Sequence, residues 1–157
     1  MPGLFPERVT AQEPEQEAQQ QERRGYYPSA YFDGEDFLRD GAHKILRATG
    51  TDAWIHWCQK CLSTQKGAYL TYSEDYGIDI RGAFRTADRD LIENILTREI
   101  TEALEADPLQ RLSRIEGISY RWQDDSSVEV TVNAVGIGGN TEMIAVTLGG
   151  EGRIGRL

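Results

Sequence analysis

The sequence predicts an α+β fold with two helices, a C-terminal three-stranded antiparallel meander and short N-terminal strands. The first observation is an apolar stripe at helical spacing within residues 87–106. The second is a change to apolar–polar alternation, typical of half-buried strands, in the residues that follow. A helix followed by consecutive strands is typical of domains in which helices cover one face of an antiparallel sheet.

The first residues of the chain differ in composition from the rest. Residues 11–24, AQEPEQEAQQQERR, are rich in Gln and Glu and poor in apolar groups, so they cannot bury enough surface to offset the entropy of ordering them. We therefore predict an extended or disordered arm over 1–28, one α+β domain over 29–150 and a flexible tail over 151–157. The apolar residues by which the arm would dock on a partner are Leu4, Phe5, Tyr26 and Tyr27.

The first helix is predicted in an aromatic-rich segment before residue 63. Thr51 or Asp52 supplies a capping oxygen, and Lys66-Gly67 ends the helix because glycine accepts a left-handed cap. The apolar positions at helical spacing are Trp54, Cys58, Cys61 and Leu62. Residues 32–40 and 44–47, on either side of Gly41, are predicted as two short strands, 68–72 as a third, 73–77 as a turn and 79–84 as one helical turn.

The second helix and the meander have the clearest pattern. Thr86 or Asp88 caps the helix, and Pro108 stops it because proline disfavours helical geometry in the residue before it. Its apolar stripe consists of Ile92, Leu96, Ile100, Ala103 and Leu104. The predicted strands cover 115–122, 127–135 and 142–148. With no further strand after the third, we expect an open edge, which is a docking site in an assembly.

The charge and composition of the chain disfavour several classes of partner. The net charge of −9 argues against nucleic acid, which needs a basic face, and against anionic membrane. No apolar run is long enough to span a bilayer, and the N-terminus lacks the pattern of a secretion signal. Two closely spaced cysteines do not form a disulfide framework, so we expect a protein made in a reducing cytoplasm.

Cys58-x-x-Cys61 beside His56 is the pattern closest to a metal site. A structural zinc site needs four ligands, and His43 is the one other histidine in the sequence. Both cysteines also lie on the apolar stripe of the first helix, where free cysteine packs as a small hydrophobe. We therefore expect no metal and no cofactor, and a redox role is disfavoured because no strand opens onto this helix.

Two other clusters contain side chains that occur in catalytic or binding sites. Glu74, Asp75 and Asp79 would have to include one protonated carboxyl in an apolar pocket to act as a glycosidase, whereas carboxylates close together in a turn are usually solvated or capping groups. We expect no enzyme activity. The tyrosines and tryptophans fit either an aromatic core or a partner contact; they are Trp54, Trp57, Tyr69, Tyr72 and Tyr76.

Three short motifs follow one another in an order that matches a known family. Thr64-x-x-Gly67 follows the first helix, Tyr76-Gly77 comes next, and Asp107-Pro108 ends the second helix. With the meander behind them, they resemble the small baseplate wedge proteins of contractile phage tails. These form the sheath-initiator family, once called lysozyme-like, and the closest resemblance is to the defective-prophage and tailocin version. Leu109 stands where the family's acidic-Pro-Arg motif has arginine, and Arg111 or Arg114 is a candidate for its role.

The resemblance implies a structural protein that joins wedge proteins and initiates the sheath by strand exchange. Its implied partners are baseplate wedge proteins, the tail sheath protein and tube or hub proteins, with several copies in a sixfold ring. Its implied location is the baseplate of the virion tail, after assembly in the host bacterial cytoplasm. The implied contact residues are Tyr76, Asp107, Pro108, Arg111, Glu142, Ile144, Val146 and Leu148. The alternatives are a tail-assembly adaptor or chaperone that leaves the particle, and a cell-wall glycoside hydrolase.

Overall fold

The computed structural model describes residues 29–31 and 37–149. The elements, in chain order, are β1 (Ser29–Ala30), β2 (Arg47–Ala48), α1 (Gly50–Leu62), α2 (Ile80–Ala83), α3 (Arg89–Glu105), β3 (Leu112–Asp124), β4 (Ser127–Gly136) and β5 (Thr141–Gly149). The predicted α+β class is confirmed. The predicted arm over 1–28, with its apolar anchors, and the tail over 151–157 lie outside the described residues.

The C-terminal sheet is an antiparallel meander in the order β3-β4-β5, as the alternating pattern predicts. Inward-facing residues pair across the strands, for example Val130 with Val146 and Val132 with Ile144. All four of these side chains are buried. One face of the sheet therefore forms one side of the hydrophobic core. Because successive side chains of a strand point to opposite faces, the sequence alternates between apolar and polar residues.

The long helix α3 forms where its apolar stripe predicts. Asp88 is its N-cap and accepts hydrogen bonds from the backbone N–H groups of Asp90 and Leu91. The buried residues of the helix are Ile92, Leu96, Ile100, Ala103 and Leu104. Because α3 packs on β3 while α1 packs on β5 and on α3, both helices cover the same face of the sheet.

The predicted ends of α1 are wrong, although its buried stripe is confirmed. The helix begins at Gly50 after Thr49, whose side chain makes no capping bond, so neither Thr51 nor Asp52 is the cap. It ends at Leu62, four residues before the predicted Lys66-Gly67 stop. The reason is tertiary, because the chain beyond Ser63 bonds to the segment before α2 instead, with Lys66 N–H donating to the Ile78 carbonyl at 2.9 Å.

The predicted strand over 68–72 is also wrong. These residues form consecutive turns, in which Ala68 N–H donates to the Gln65 carbonyl and Tyr72 N–H to the Tyr69 carbonyl. The alternation of Tyr69, Leu70, Thr71 and Tyr72 resembles a strand, but the segment has no neighbouring strand to pair with among the described residues. The predicted helical turn over 79–84 is confirmed by α2, where Asp79 accepts from Gly82 N–H.

The hairpin predicted around Gly41 forms in part, with Asp40 N–H donating to the Lys44 carbonyl and Leu46 N–H to the Leu38 carbonyl. Residues 37–47 contain one isolated bridge, between Arg39 and Ile45, around a turn in which Asp40 accepts from the Ala42 and Lys44 N–H groups. The two-residue β2 pairs with β1 instead. The apolar residues of this segment stay exposed, so no buried face holds longer strands together; they are Phe37, Leu38, Ile45 and Leu46. Residues 32–36 lie outside the described part.

Leu96→Asp should unfold the domain. Leu96 is fully buried in the middle of α3, and an unpaired charge there costs several kcal/mol against a total stability of about 5–15 kcal/mol. Far-UV circular dichroism and thermal unfolding measure the loss. The control is Leu91→Asp on the same helix, because Leu91 is 46% exposed and its substitution should leave the fold intact. A cooperative wild-type melt for Leu96→Asp would contradict the assigned core.

Candidate functional site

The corner between α3 and β3 is built on a buried ion pair. The Arg111 side chain donates to both carboxylate oxygens of Asp107, from Nε at 2.8 Å and from Nη2 at 3.0 Å. Both residues are 3% exposed. The same carboxylate accepts from the backbone N–H groups of Leu109 and Arg111, so it closes the whole turn. Such a bidentate, charge-assisted pair stabilises the turn and also fixes its geometry.

The geometry decides between the two arginines that follow the motif. Arg111 pairs with Asp107, while Arg114 pairs with Glu116 at 3.0 Å on the surface. Arg111, two residues after Leu109, is therefore the arginine that pairs with the acidic residue of the motif. The turn accommodates the displacement through Gln110, which adopts a positive φ of 51° and donates its N–H to the Asp107 carbonyl.

Trp57 of α1 connects this corner to the tyrosine-rich segment, residues 69–76. The Arg111 guanidinium lies over its ring, 5.2 Å from the centroid. Tyr76 meets the Trp57 ring edge to face at 6.0 Å, and burial raises the pKa of the Tyr76 hydroxyl. The structure thus brings the predicted contact residues Tyr76, Asp107 and Arg111 together around Trp57. The helical pattern of the sequence does not identify Trp57 as this bridge.

Pro108 lies on the exposed side of the same corner. It borders a recess of about 380 Å³ that opens toward α1 and the tyrosine-rich segment. The recess is lined by aromatic side chains and one lysine, and its wall includes Trp57, Lys60, Tyr72, Tyr76 and Pro108.

The remaining predicted contact residues occupy β5. Ile144 and Leu148 are fully buried, Val146 is 3% exposed, and Glu142 is partly buried at the start of the strand. Their side chains face the helices. Any contact that β5 makes with another protein must therefore involve its backbone or its opposite face.

The hydrogen-bond register identifies which backbone groups of β5 have no strand partner among the described residues. Gly136 N–H donates to the Asn140 carbonyl at 3.2 Å, and the β4–β5 register then continues without a shift to the Ser127–Gly149 pair. In an antiparallel ladder hydrogen-bonded and non-hydrogen-bonded pairs alternate. The even-numbered residues of β5 therefore bond to β4. The N–H and C=O groups that point to the open edge belong to the odd-numbered residues Thr141, Met143, Ala145, Thr147 and Gly149.

Sequence reasoning chose the other set of β5 residues. It followed the apolar side chains, which mark the buried face. The backbone groups that face the open edge depend instead on which residues of β5 hydrogen-bond to β4. The apolar alternation groups the residues that share a face, but it does not by itself say on which edge of β5 the strand β4 pairs.

The cysteine and carboxylate clusters have structural surroundings. Cys58 and Cys61 are fully buried in the core. Asp79 caps α2, and hydrogen bonds from the Gln65 side chain and Gly82 N–H lower its pKa, which is the opposite of what a general acid needs. Within the described ranges, no three His, Cys, Asp or Glu side chains are grouped for a metal ion. In those same ranges, no helix has the length and apolarity to cross a membrane.

Removing either member of the corner ion pair should destabilise the domain. Arg111→Met leaves the Asp107 carboxylate buried without its cation, which typically costs about 3–5 kcal/mol. Denaturant unfolding measures the change. Arg114→Met is the matched control, since its pair with Glu116 is exposed and should contribute about 1 kcal/mol or less. Equal stabilities of the two variants would contradict a structural role for the corner.

The two thiols should resist alkylation in the native protein. Burial raises the pKa of the Cys61 thiol to about 11 and also raises the pKa of Cys58, so at pH 8 both are protonated and inaccessible. Iodoacetamide followed by intact-mass analysis should find no adduct on folded protein and both thiols modified in guanidinium. Rapid labelling at pH 8 without unfolding would show that the cysteines are not core residues.

Comparison with known proteins agrees with the architecture. A family model described as contractile injection system sheath initiator matches residues 30–139, well over half of the chain. The match includes both long helices and the Asp107–Arg111 corner, and it ends just before β5. A search of curated proteins finds no match. The extent of the family match shows that this chain belongs to the contractile injection system sheath initiator family.

Proposed function

We propose that this protein joins wedge proteins in the baseplate of a phage or phage-like contractile tail and starts the sheath by strand exchange at β5. Family membership supports the coarser role of sheath initiator. The observation that supports the exchange is the free edge of β5, which pairs with β4 on one side alone among the described residues. An exposed row of backbone donors and acceptors is a template for another strand.

The regularity of β5 favours it over the other edge of the sheet. β5 pairs with β4 from Thr141 to Gly149 without a register shift. The opposite edge strand, β3, has register shifts at three places along its pairing with β4. Bulges twist an edge and interrupt its row of hydrogen-bonding groups. A strand from the first sheath subunit would therefore find its most continuous partner along β5.

The buried side chains of β5 support this function indirectly. Ile144, Val146 and Leu148 anchor the strand to the core beneath α1, so the edge is held in place before a partner arrives. A preordered strand loses less conformational entropy on pairing than a free one. The contact itself would run through the main chain of the alternate residues.

The α3–β3 corner is the proposed joint with wedge proteins. Asp107 and Arg111 are buried, so their part is to hold the turn in shape. The turn exposes Pro108, Leu109 and Gln110, and Leu109 is 40% exposed. Tyr76 adds the neighbouring aromatic wall of the recess. A rigid apolar corner of this kind suits a contact with a larger protein.

The remaining parts of the proposal concern the particle. The protein would act in the tail baseplate of the virion, in several copies of a sixfold ring formed with tube or hub neighbours, after assembly in the host cytoplasm. Its role would be structural, without catalysis, cofactor, nucleic acid or membrane. The net charge of −9 would keep the subunits soluble and separate before they bind their partners.

Ala145→Pro should abolish sheath nucleation and leave the domain folded. The Ala145 N–H points to the open edge, so proline removes a group that the added strand needs without removing a bond to β4. Val146→Pro is a poorer test, because Val146 is buried and bonds to β4. Electron microscopy of particles assembled with each variant measures the sheath, and circular dichroism checks the fold.

Ala145→Ser keeps the N–H and should nucleate normally, which makes it the matched control. Full-length sheaths with Ala145→Pro would rule out strand exchange at β5. Mass spectrometry of purified particles tests retention independently. Absence of the protein from them would instead support an assembly adaptor that leaves the particle.

A further inference from the structure

The inner side chains of β5 are covered, although β5 is an edge strand. Ile144 is fully buried and Val146 is 3% exposed. The other edge strand, β3, is covered less completely. Its residues Ile118 and Tyr120 pair with the same two valines of β4 but are only partly buried. The layer that covers the sheet therefore reaches further over β5 than over β3.

The layer over β5 is helix α1. This helix packs on β5 and on α3, whereas α3 packs on β3. Because the inner side chains of β5 have almost no solvent contact even on the side of the open edge, α1 extends at least to the line of that edge. An added strand would therefore lie next to α1 as well as next to β5.

One flank of α1 faces away from the α3–β3 corner. Trp57 faces the corner, where its ring meets the Arg111 guanidinium just before β3 begins. Ile55 and Gln59 lie about 200° around the helix axis from Trp57, because each residue turns the helix by about 100°. They therefore face the opposite direction, toward the open edge of β5. With Thr51, one turn earlier, they form what we call the α1 flank.

The α1 flank lies at the border of the core. Its three side chains are partly buried, and Ile55 packs against the buried cluster. Ile55 is the apolar member, between the hydroxyl of Thr51 and the amide of Gln59. A strand that pairs with β5 would thus meet backbone groups on one side and this apolar side chain on the other.

The register of β5 sets which residues of an added strand meet the α1 flank. Side chains alternate between the two faces of a sheet, and neighbouring residues on paired strands share a face. The residues beside Ile144 and Val146 would therefore point inward to the α1 flank, and those beside Ala145 and Thr147 would point outward. A polar side chain that points inward would lose its water without gaining a partner. A shift by one residue would exchange the two sets.

We infer that the α1 flank selects the strand that β5 accepts, which is a strand of the sheath protein with apolar residues at alternate, inward-facing positions that pack on Ile55. This inference rests on the proposed strand exchange at β5 and specifies the chemistry of the strand. Backbone hydrogen bonds tolerate many sequences, whereas the α1 flank requires the alternation. A strand that lacks it is rejected because a polar side chain would lie against Ile55.

Ile55→Ser tests the contact with the α1 flank. On particles assembled with the full-length variant, the number of sheaths counted by electron microscopy should fall at least tenfold. Ile95→Ser is the matched control, because Ile95 is also partly buried against the core but lies on α3. It should lose a similar amount of thermal stability and nucleate sheaths as the wild type does. Assembly below the melting temperatures of both variants separates nucleation from folding.

Two synthetic peptides of the same composition test the alternation itself. One alternates valine and threonine between terminal lysines, and the other has the same residues in an order without alternation. The alternating peptide should inhibit sheath nucleation by the wild type at a concentration at least tenfold lower, because it alone presents an apolar face along its whole length. Equal inhibition by the two peptides, or none by either, would overturn the inference.

The variants distinguish this inference from the proposed function. If Ile55→Ser nucleates sheaths as the wild type does while Ala145→Pro does not, the selection by α1 is overturned and strand exchange at β5 stands. An equal loss for Ile55→Ser and Ile95→Ser would assign the effect to stability and also overturn the inference. If Ala145→Pro nucleates full-length sheaths, strand exchange at β5 itself fails.

Discussion

The paired carboxylate and guanidinium at the end of α3 organise the rest of this fold. Asp107 closes the turn into β3 and holds Arg111, and Arg111 in turn lies on the Trp57 ring of α1. The two helices are thereby held at one end of the sheet face that they share. A buried ion pair is costly to form from solvated charges, so it favours one geometry in which all its hydrogen bonds are made. That single geometry also positions Pro108 and the aromatic recess.

A sheet covered on one face has consequences for function. Both helices lie on the inner face, so the backbone edges of β3 and β5 have no partner among the described residues. A monomeric protein would be expected to blunt such edges, and β3 does so through its register shifts. β5 remains regular. A regular edge is a risk for a free subunit and an advantage for a protein that must begin a polymer, and the acidic surface offsets part of that risk.

The proposed contacts divide between main chain and side chains. Strand exchange at β5 would depend on backbone groups, which tolerate sequence change in the partner. The corner at Pro108 would depend on shape and apolar area, which discriminate between partners. A protein that connects a polymer to a specific platform needs both kinds of recognition. In this proposal the two contacts lie on separate elements, so one could form without distorting the other.

The sequence by itself determined the elements whose pattern is local. The Asp88 cap, the stripe of α3 and the three alternating strands follow from side-chain spacing that each segment carries within itself. The order of short motifs likewise indicated the family. The tertiary structure decided what depends on a partner elsewhere in the chain. Tyr69 to Tyr72 alternate like a strand yet form turns, because no strand among the described residues lies beside them to pair with. Arg111 rather than Arg114 reaches Asp107, because the turn at Gln110 buries one and exposes the other. The edge-facing groups of β5 follow from the side on which β4 pairs with it, which the apolar alternation does not by itself specify.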